Sequence, residues 1–533
     1  MEISGQNLDF ISLYHAVCRS QLPLTDSKST ASTNKNPIFT LAPIAKSQMQ
    51  KSRSYIESRI QKGEVMYGVN TGFGAFSSVR ISDSEIIQLQ KNLIRSHSVG
   101  IGKSFSKTES KAMMVLRANA LARGHSGVRP EVVEKILEFL NHDIIPVIPS
   151  QGSVGASGDL APLSHLALAL IGEGEVWQSG EETETHPLKK ISATQALADK
   201  NIQALQLQAK EGLSLINGCQ VMTALGLLKL YEMRDLLWLF DVAAAMTLEG
   251  LRGSRRAFDP LIMAARPHKG ELATACNILK LAGVESEIGL SHLDDDHRVQ
   301  DAYSIRCVPA VHGSAKKTWD FVCDVLQTEA NSSTDNPLVF ADENKILSCG
   351  NFHGMPVAHA LDFAAIALSS QTSISECRIS KMISSQMSEL PPFLAVNGGL
   401  NSGHMIVQVA AASLVSENKI LSHPASVDSI PTSAEKEDHV SMGSIAARKF
   451  AQIVENATHV VAMEILSACQ ALDLVAPLKP TAAVKAVHDF IRQSVPFAKE
   501  DRVFSQDIKV IREKIINGEI LSVVKTAVGE LQI

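Results

Sequence analysis

The segment Gln151-Gly-Ser-Val-Gly-Ala-Ser-Gly-Asp-Leu-Ala-Pro-Leu-Ser-His165 constrains this chain more than any other. Its centre, Ala156-Ser157-Gly158, is small and flexible, and a helical pattern starts directly after it. Leu160, Leu163, Leu166 and Ile171 approximate one apolar stripe. Asp159 is a natural N-cap, and Pro162 falls in the first turn, where its missing N–H is not needed. The tripeptide is therefore expected at a helix N-terminus, the positive end of the dipole. Read from its residues alone, the segment is a glycine-rich loop before a helix, a place that can bind phosphate.

The whole chain narrows the choice. Its 533 residues would by length suggest about three or four domains. No stretch has linker composition, so the expected organisation is one large unit. We divide it into a partly looped segment 1–45, an all-α catalytic unit 46–480 and a helical tail 481–533 packed on the same unit. Hydrophobic residues make up 45% and charged residues 20%, enough for a sizeable core. A net charge of −6 argues against a nucleic-acid or anionic-membrane partner. The eight cysteines (18, 219, 276, 307, 323, 349, 377, 469) have no C-x-x-C spacing and suit reduced thiols in a cytoplasmic protein. No apolar run approaches about 18 residues, and no signal-peptide pattern opens the sequence.

Taken in order, residues 26–36 read as an exposed polar loop. Tyr67-Gly-Val-Asn-Thr-Gly-Phe-Gly74 is a loop whose backbone can approach a ligand, with the Tyr67 phenol as a candidate base. Ser82-x-x-Glu85 reads as a capping box opening a helix on which Ile86, Leu89, Leu93 and His97 share one side. Gly100-Ile-Gly-Lys-Ser104 resembles the end of a P-loop, but His97 stands where that motif needs glycine. Residues 176–200 form a polar excursion. Residues 203–251 read as helical except at Asn217-Gly218, either a tolerated kink or an Asn presented into a cavity.

His292-Leu-Asp-Asp-Asp-His297 has metal-ligand residue types without a defined ligand spacing, so it reads as a solvated loop and no metal is expected. Gln300, Tyr303 and Arg306 are three apart and would share a helical face suited to an amino acid's carboxylate, or to surface salt bridges. Thr334-Asp-Asn-Pro337 and Gly350-Asn-Phe352-His-Gly read as loops. Helical pattern fills 357–383, about 404–420 and 444–474, the last spanning roughly 46 Å and stopped by Pro477 and Pro480. The Pro431–Met442 loop leaves Glu437, on its own, an ordinary solvated charge.

Together these stretches carry a resemblance. A-S-G-D within G-S-V-G-A-S-G-D-L, Y-G-x-x-T-G-F-G, L-I-N-G, Q-D-x-Y-S-x-R, N-F-H and E-D-H-V-S-M are similar, in that order, to the motifs of the aromatic amino acid ammonia-lyases. The likeness covers about residues 40–480. It implies an all-α fold of long packed helices forming a central bundle. It also implies that Ala156-Ser157-Gly158 cyclises into 4-methylideneimidazole-5-one (MIO), with no metal or diffusible cofactor. Such ring closure fits the residue types: the Gly158 nitrogen must reach the Ala156 carbonyl carbon, which an unhindered residue permits.

The resemblance further implies a homotetramer whose active sites combine loops from several subunits. Tyr67 would be the base, Arg306 the carboxylate ligand helped by Asn217 and Gln300, Tyr303 a donor near the electrophile, and Phe352 a neighbour of it. Ser96-His97 and Glu437 resemble the branch acting on histidine, so His97 and Glu437 would grip an imidazole and the reaction would be L-histidine to trans-urocanate and ammonia. An aminomutase or lyase of another aromatic amino acid is the near alternative, and a glycine-loop nucleotide-binding protein the distant one. Four positions depart from the family pattern: Met355 stands where Glu is common, Val308 and Ala310 sit in an altered stretch, and His404 replaces a frequent Phe.

Overall fold

Four long helices make the centre of the molecule. In this computed structural model, which describes all residues except 19–37, 77, 83, 179, 181–187, 284, 294–297 and 387, they are Gln220–Gly250, Val308–Ala330, Met355–Ile383 and Gly443–Leu474. The first buries residues around its whole circumference, as a helix in the middle of a bundle must. At 32 residues, Gly443–Leu474 runs about 48 Å. Each of the four packs against at least two of the others. Val484, Val487 and Ile491 of the tail helix Ala482–Arg492 join the same core, as does Ile511 of Phe504–Ile516.

Twenty α-helices are present among the described residues, and the strands are two to four residues long. The all-α expectation is borne out. Ion pairs cross the bundle where side chains cannot reach water. Arg378 donates through Nε and Nη2 to both oxygens of Glu464, at 2.5 and 2.8 Å, with both residues fully buried. Asp241 receives His312 Nδ1 at 2.8 Å and Lys316 Nζ at 2.6 Å.

Several local expectations are corrected. Asp159 is the N-cap residue of Leu160–Leu170, but its side chain does not cap that helix. It reaches across to the first turn of Gln220–Gly250 instead. Ser82-x-x-Glu85 is not a capping box: the helix begins at Ile86, and the Ser82 hydroxyl bonds the Glu85 carboxylate at 2.5 Å. Residues 202–210 are not helical; helix resumes as the short Glu211–Ile216 and breaks again at Asn217. The 176–200 excursion contains an antiparallel pair, Glu175–Trp177 with Lys190–Ser192, and then the helix Ala193–Lys200.

His292 is buried rather than solvated, with Nε2 3.2 Å from the Gly253 carbonyl; Asp294 to His297 lie outside the described residues, as does the 26–36 loop. Among the described residues no helix is long and apolar enough to cross a membrane.

Candidate active site

A cavity of about 690 Å³ opens where the glycine loop 67–74, the end of the Ile86–His97 helix, the tripeptide, the Asn217 break and the 433–437 loop converge. Tyr67, His97, Ser157, Asn217, Phe352 and Glu437 all line it. Ala156 and Gly158 flank Ser157 and are buried. The stripe of the Ile86–His97 helix explains the meeting of His97 with this wall: Leu89, Leu93 and His97 face the cavity together.

The tripeptide is clamped on two sides. Gly158 pairs with Gly218 in an isolated bridge, and the Asp159 amide donates to the Gly218 carbonyl at 2.7 Å. Gly158 has φ +72°, and a Cβ there would overlap the Gly218 carbonyl, so only glycine fits. On the other side Met442 donates its amide to Val154 O at 2.8 Å, and Ser441 Oγ donates to Gly155 O at 3.1 Å. A Cβ-free residue in a left-handed conformation, held tightly between two fixed strips of backbone, suits ring closure onto Ala156. The residues present thus fit an internally formed MIO.

The buried carboxylate of Asp159 joins the two helix starts beside this loop. Its Oδ2 accepts from Val221 N at 2.9 Å and Met222 N at 3.0 Å, while Oδ1 has no partner among the described residues. Burial pushes its pKa up to about 7, with the two amides pulling the other way. Ser157 Oγ donates to Glu437 Oε1 at 2.9 Å. The second oxygen of Glu437 takes hydroxyls from Thr432 at 2.9 Å and Ser433 at 2.5 Å, so Glu437 is held in place rather than solvated. Neither hydroxyl was singled out from sequence, where both read as loop polarity.

The His97 ring is oriented by its own helix. Nδ1 lies 2.8 Å from the Leu93 carbonyl, which can only accept, so that nitrogen carries the proton and Nε2 is left as the acceptor. Desolvation lowers the His97 pKa, opposed by the Leu93 bond and by Glu437, favouring this neutral form. Desolvation raises the Tyr67 pKa; a backbone hydrogen bond with Gly74 works against this and Glu437 adds to it. Asn217, 3% exposed, donates Nδ2 to Asp335 Oδ1 at 3.2 Å.

Gln300, Tyr303 and Arg306 are not brought to this cavity within one chain. They do not share a helical face either, because the helix is only Tyr303–Arg306 and Gln300 lies in the bend before it. Tyr303 is 69% exposed, with the Arg306 guanidinium 4.5 Å from its ring centroid, and Arg306 Nε donates to Asp301 O at 3.1 Å. No Lys or Arg is among the described residues lining the cavity, and no metal-holding group of three or more His, Cys, Asp or Glu exists among the described residues.

Comparison with known proteins agrees with this arrangement. The sequence model of the family described as "Aromatic amino acid lyase" matches residues 23–493. Histidine ammonia-lyase of Anaeromyxobacter sp. (strain K) is 48% identical over 480 residues, covering 90% of this chain and 94% of that protein. Histidine ammonia-lyase of Caldanaerobacter subterraneus subsp. tengcongensis is 47% identical, covering 91% and 93%. Among solved structures, histidine ammonia-lyase from Trypanosoma cruzi superposes with a TM-score of 0.87 at 39% identity, covering 99% and 96% of the two chains. Tyrosine aminomutase from Streptomyces globisporus superposes at 0.90 with 33% identity over the whole of both chains. With a family match over most of its length and near half its residues shared with such relatives, the chain belongs to the aromatic amino acid lyase family.

Proposed function

We propose that this chain eliminates ammonia from L-histidine to give trans-urocanate. The observation that carries the reading is the placement of His97 and Glu437 in one cavity with Tyr67 and the Ala156-Ser157-Gly158 loop. The likeness to proteins named histidine ammonia-lyase supports it.

His97 Nε2 offers an acceptor to an imidazole N–H, which a phenyl ring lacks, and a site built for that hydrogen bond rejects the ring without it. Glu437 Oε1 has the Ser157 hydroxyl as its partner. Loss of that hydroxyl on cyclisation leaves Oε1 turned to the cavity, free to accept from the substrate. Residues 156–158 would hold the group as MIO, which would supply the electrophile that makes the substrate amine a leaving group. Tyr67 removes the β-proton in this reading. Its raised pKa calls for a nearby cation, and no Lys or Arg is among the described residues lining one chain's cavity.

Arg306 of a second copy would answer that need, holding the substrate carboxylate bidentately, with Gln300 and Tyr303 alongside. Phe352 packs beside the prosthetic group. The assembly is a homotetramer, working in the cytoplasm without metal, nucleic acid or membrane. Residues 46–480 are its catalytic unit, with 1–45 and 481–533 packed on it.

Incubation with L-histidine, following urocanate by its ultraviolet absorbance, tests the reaction, and sedimentation in solution tests the tetramer. Intact mass about 36 Da below the sequence value, two waters, tests the cyclisation. A second reading, an aminomutase, draws on the tyrosine aminomutase likeness; recovery of a β-amino acid in place of urocanate would favour it.

A further inference from the structure

Away from the cavity, a set of buried polar groups that the reaction above leaves unused gathers around Asp241 of the Gln220–Gly250 helix. Asp241 is fully buried and accepts from side chains on two other helices. His312 Nδ1 reaches Oδ1 at 2.8 Å, while Lys316 Nζ at 2.6 Å and Asn277 Nδ2 at 2.8 Å reach Oδ2. Asn277 stands on the helix Lys269–Leu281, and His312 and Lys316 stand on Val308–Ala330. An ionised carboxylate only accepts, so it draws the NH₂ end of Asn277 toward itself and fixes which way that amide lies. The second Nδ2 hydrogen, Asn277 Oδ1 and the rest of the Lys316 ammonium are left for another partner. Both residues are only 1% exposed, and polar groups so buried are costly unless bonded.

The main chain of one residue takes them all. Gln532 N donates to Asn277 Oδ1 at 2.8 Å, and Gln532 O accepts from Asn277 Nδ2 at 2.7 Å and Lys316 Nζ at 3.1 Å. Trp238 Nε1 adds a third donor to that carbonyl at 3.2 Å. Two residues earlier, Glu530 O accepts from Lys280 Nζ at 2.8 Å. Side chains alternate along the stretch: Leu531 and Ile533 pack on the core, while Glu530 and Gln532 are exposed. The segment is held as an added strand is held, its main chain by hydrogen bonds and its alternate side chains by apolar surface. An asparagine amide that pairs with both the N–H and the C=O of one residue accepts any residue there that has an N–H.

We propose that Asn277, Lys316, Trp238 and Lys280 form a peptide-binding site for a short extended segment with apolar residues two apart, and that residues 529–533 of this chain fill it as a detachable latch across three helices. Recognition rests on the main chain and on positions 531 and 533; the exposed Gln532 side chain is replaceable.

The test uses the full-length chain carrying Leu531→Asp/Ile533→Asp, which removes the apolar anchors of the latch and leaves the side chains of the site in place. A fluorescein-labelled peptide Gly-Glu-Leu-Gln-Ile should bind this opened variant saturably, read by anisotropy. It should bind the unaltered protein at least about tenfold more weakly, because a tethered segment at roughly millimolar effective concentration competes. Replacing the peptide's Gln by Ala should change its affinity less than about twofold, whereas replacing its Leu and Ile by Asp should weaken it at least about tenfold. Asn277→Ala in the opened variant should likewise cost about tenfold or more, since it removes two hydrogen bonds. Absence of saturable binding to the opened variant, or binding that Asn277→Ala leaves unchanged, overturns the site. Equal binding to the unaltered protein overturns the latch. Should the double variant not fold, hydrogen exchange in the unaltered protein decides. Its Gln532 amide should exchange at least about tenfold more slowly than an unstructured amide, and exchange at the unstructured rate overturns the proposal.

Discussion

The Asp159 carboxylate and the Val221 amide, 62 residues apart in sequence, meet at 2.9 Å and fasten the tripeptide loop to the start of the Gln220–Gly250 helix. The contact costs the charge its hydration, and the pKa of Asp159 rises to about 7. A carboxyl whose folded pKa lies above its unfolded one, near 4, contributes stability that is fully present below about pH 4 and lost as pH rises toward 7. Asp159→Asn keeps an acceptor for the two amides and cannot titrate. It should therefore gain stability relative to the parent between pH 4 and pH 7, by up to about 4 kcal/mol less what the helix dipole contributes to the charged form. Melting curves of both proteins at several pH values in that window check this. A constant difference would mean that Asp159 is ionised throughout.

His404 should pull the other way. It stands 1% exposed at the N-cap of the Met405–Leu421 helix, with Nδ1 3.1 Å from Ser467 Oγ, the Phe504 ring edge-on at 5.0 Å and no partner for Nε2 among the described residues. Burial first, then Arg492 and Arg502, bring its pKa down to about 3. The unfolded chain binds a proton near pH 6.5 that the fold refuses, so stability is lost as pH falls from about 6.5 toward 3, at up to about 1.4 kcal/mol per pH unit. His404→Phe removes that penalty and should melt higher than the parent at pH 5 by more than at pH 7.5. Parallel losses on acidification in both proteins would show that other groups govern it.

These two residues also show what could be read from the chain. The helices 355–383, 405–421 and 443–474 follow from apolar periodicity because packing in a bundle reinforces local preference. The destination of a side chain does not follow. Asp159 has the composition of a cap for its own helix and caps another, and Lys210, a residue type expected in water, is buried against Asp335. Both outcomes depend on partners distant in sequence. Gln300, Tyr303 and Arg306 were legible as a motif, yet one chain leaves Tyr303 in solvent.

Imidazole selectivity gives the next prediction. Glu437 is fixed by Thr432 and Ser433, with its other oxygen toward Ser157. Glu437→Gln keeps the size and removes the charge, and hydrogen bonds to charged groups contribute on the order of 1.5–3 kcal/mol. Histidine turnover should drop by about one to two powers of ten while the intact mass still shows loss of two waters. Undiminished turnover would free Glu437 from any role in holding the ring.

Arg306 separates carboxylate binding from a structural contact. In one chain its guanidinium lies over the Tyr303 ring and its Nε bonds the Asp301 carbonyl, modest ties that a lysine could partly replace. A carboxylate, by contrast, takes two parallel hydrogen bonds from the guanidinium fork, and an ammonium cannot copy them. Arg306→Lys should raise KM for L-histidine at least tenfold, by the loss of about 1.4 kcal/mol or more, while Tm stays within a degree or two of the parent. Histamine, having no carboxylate, should bind the variant and the parent alike. A structural role predicts the reverse: a lower Tm, with histidine and histamine affected together. Measuring Tm and both affinities on the same preparations decides between them, and equal losses would remove Arg306 from the carboxylate site.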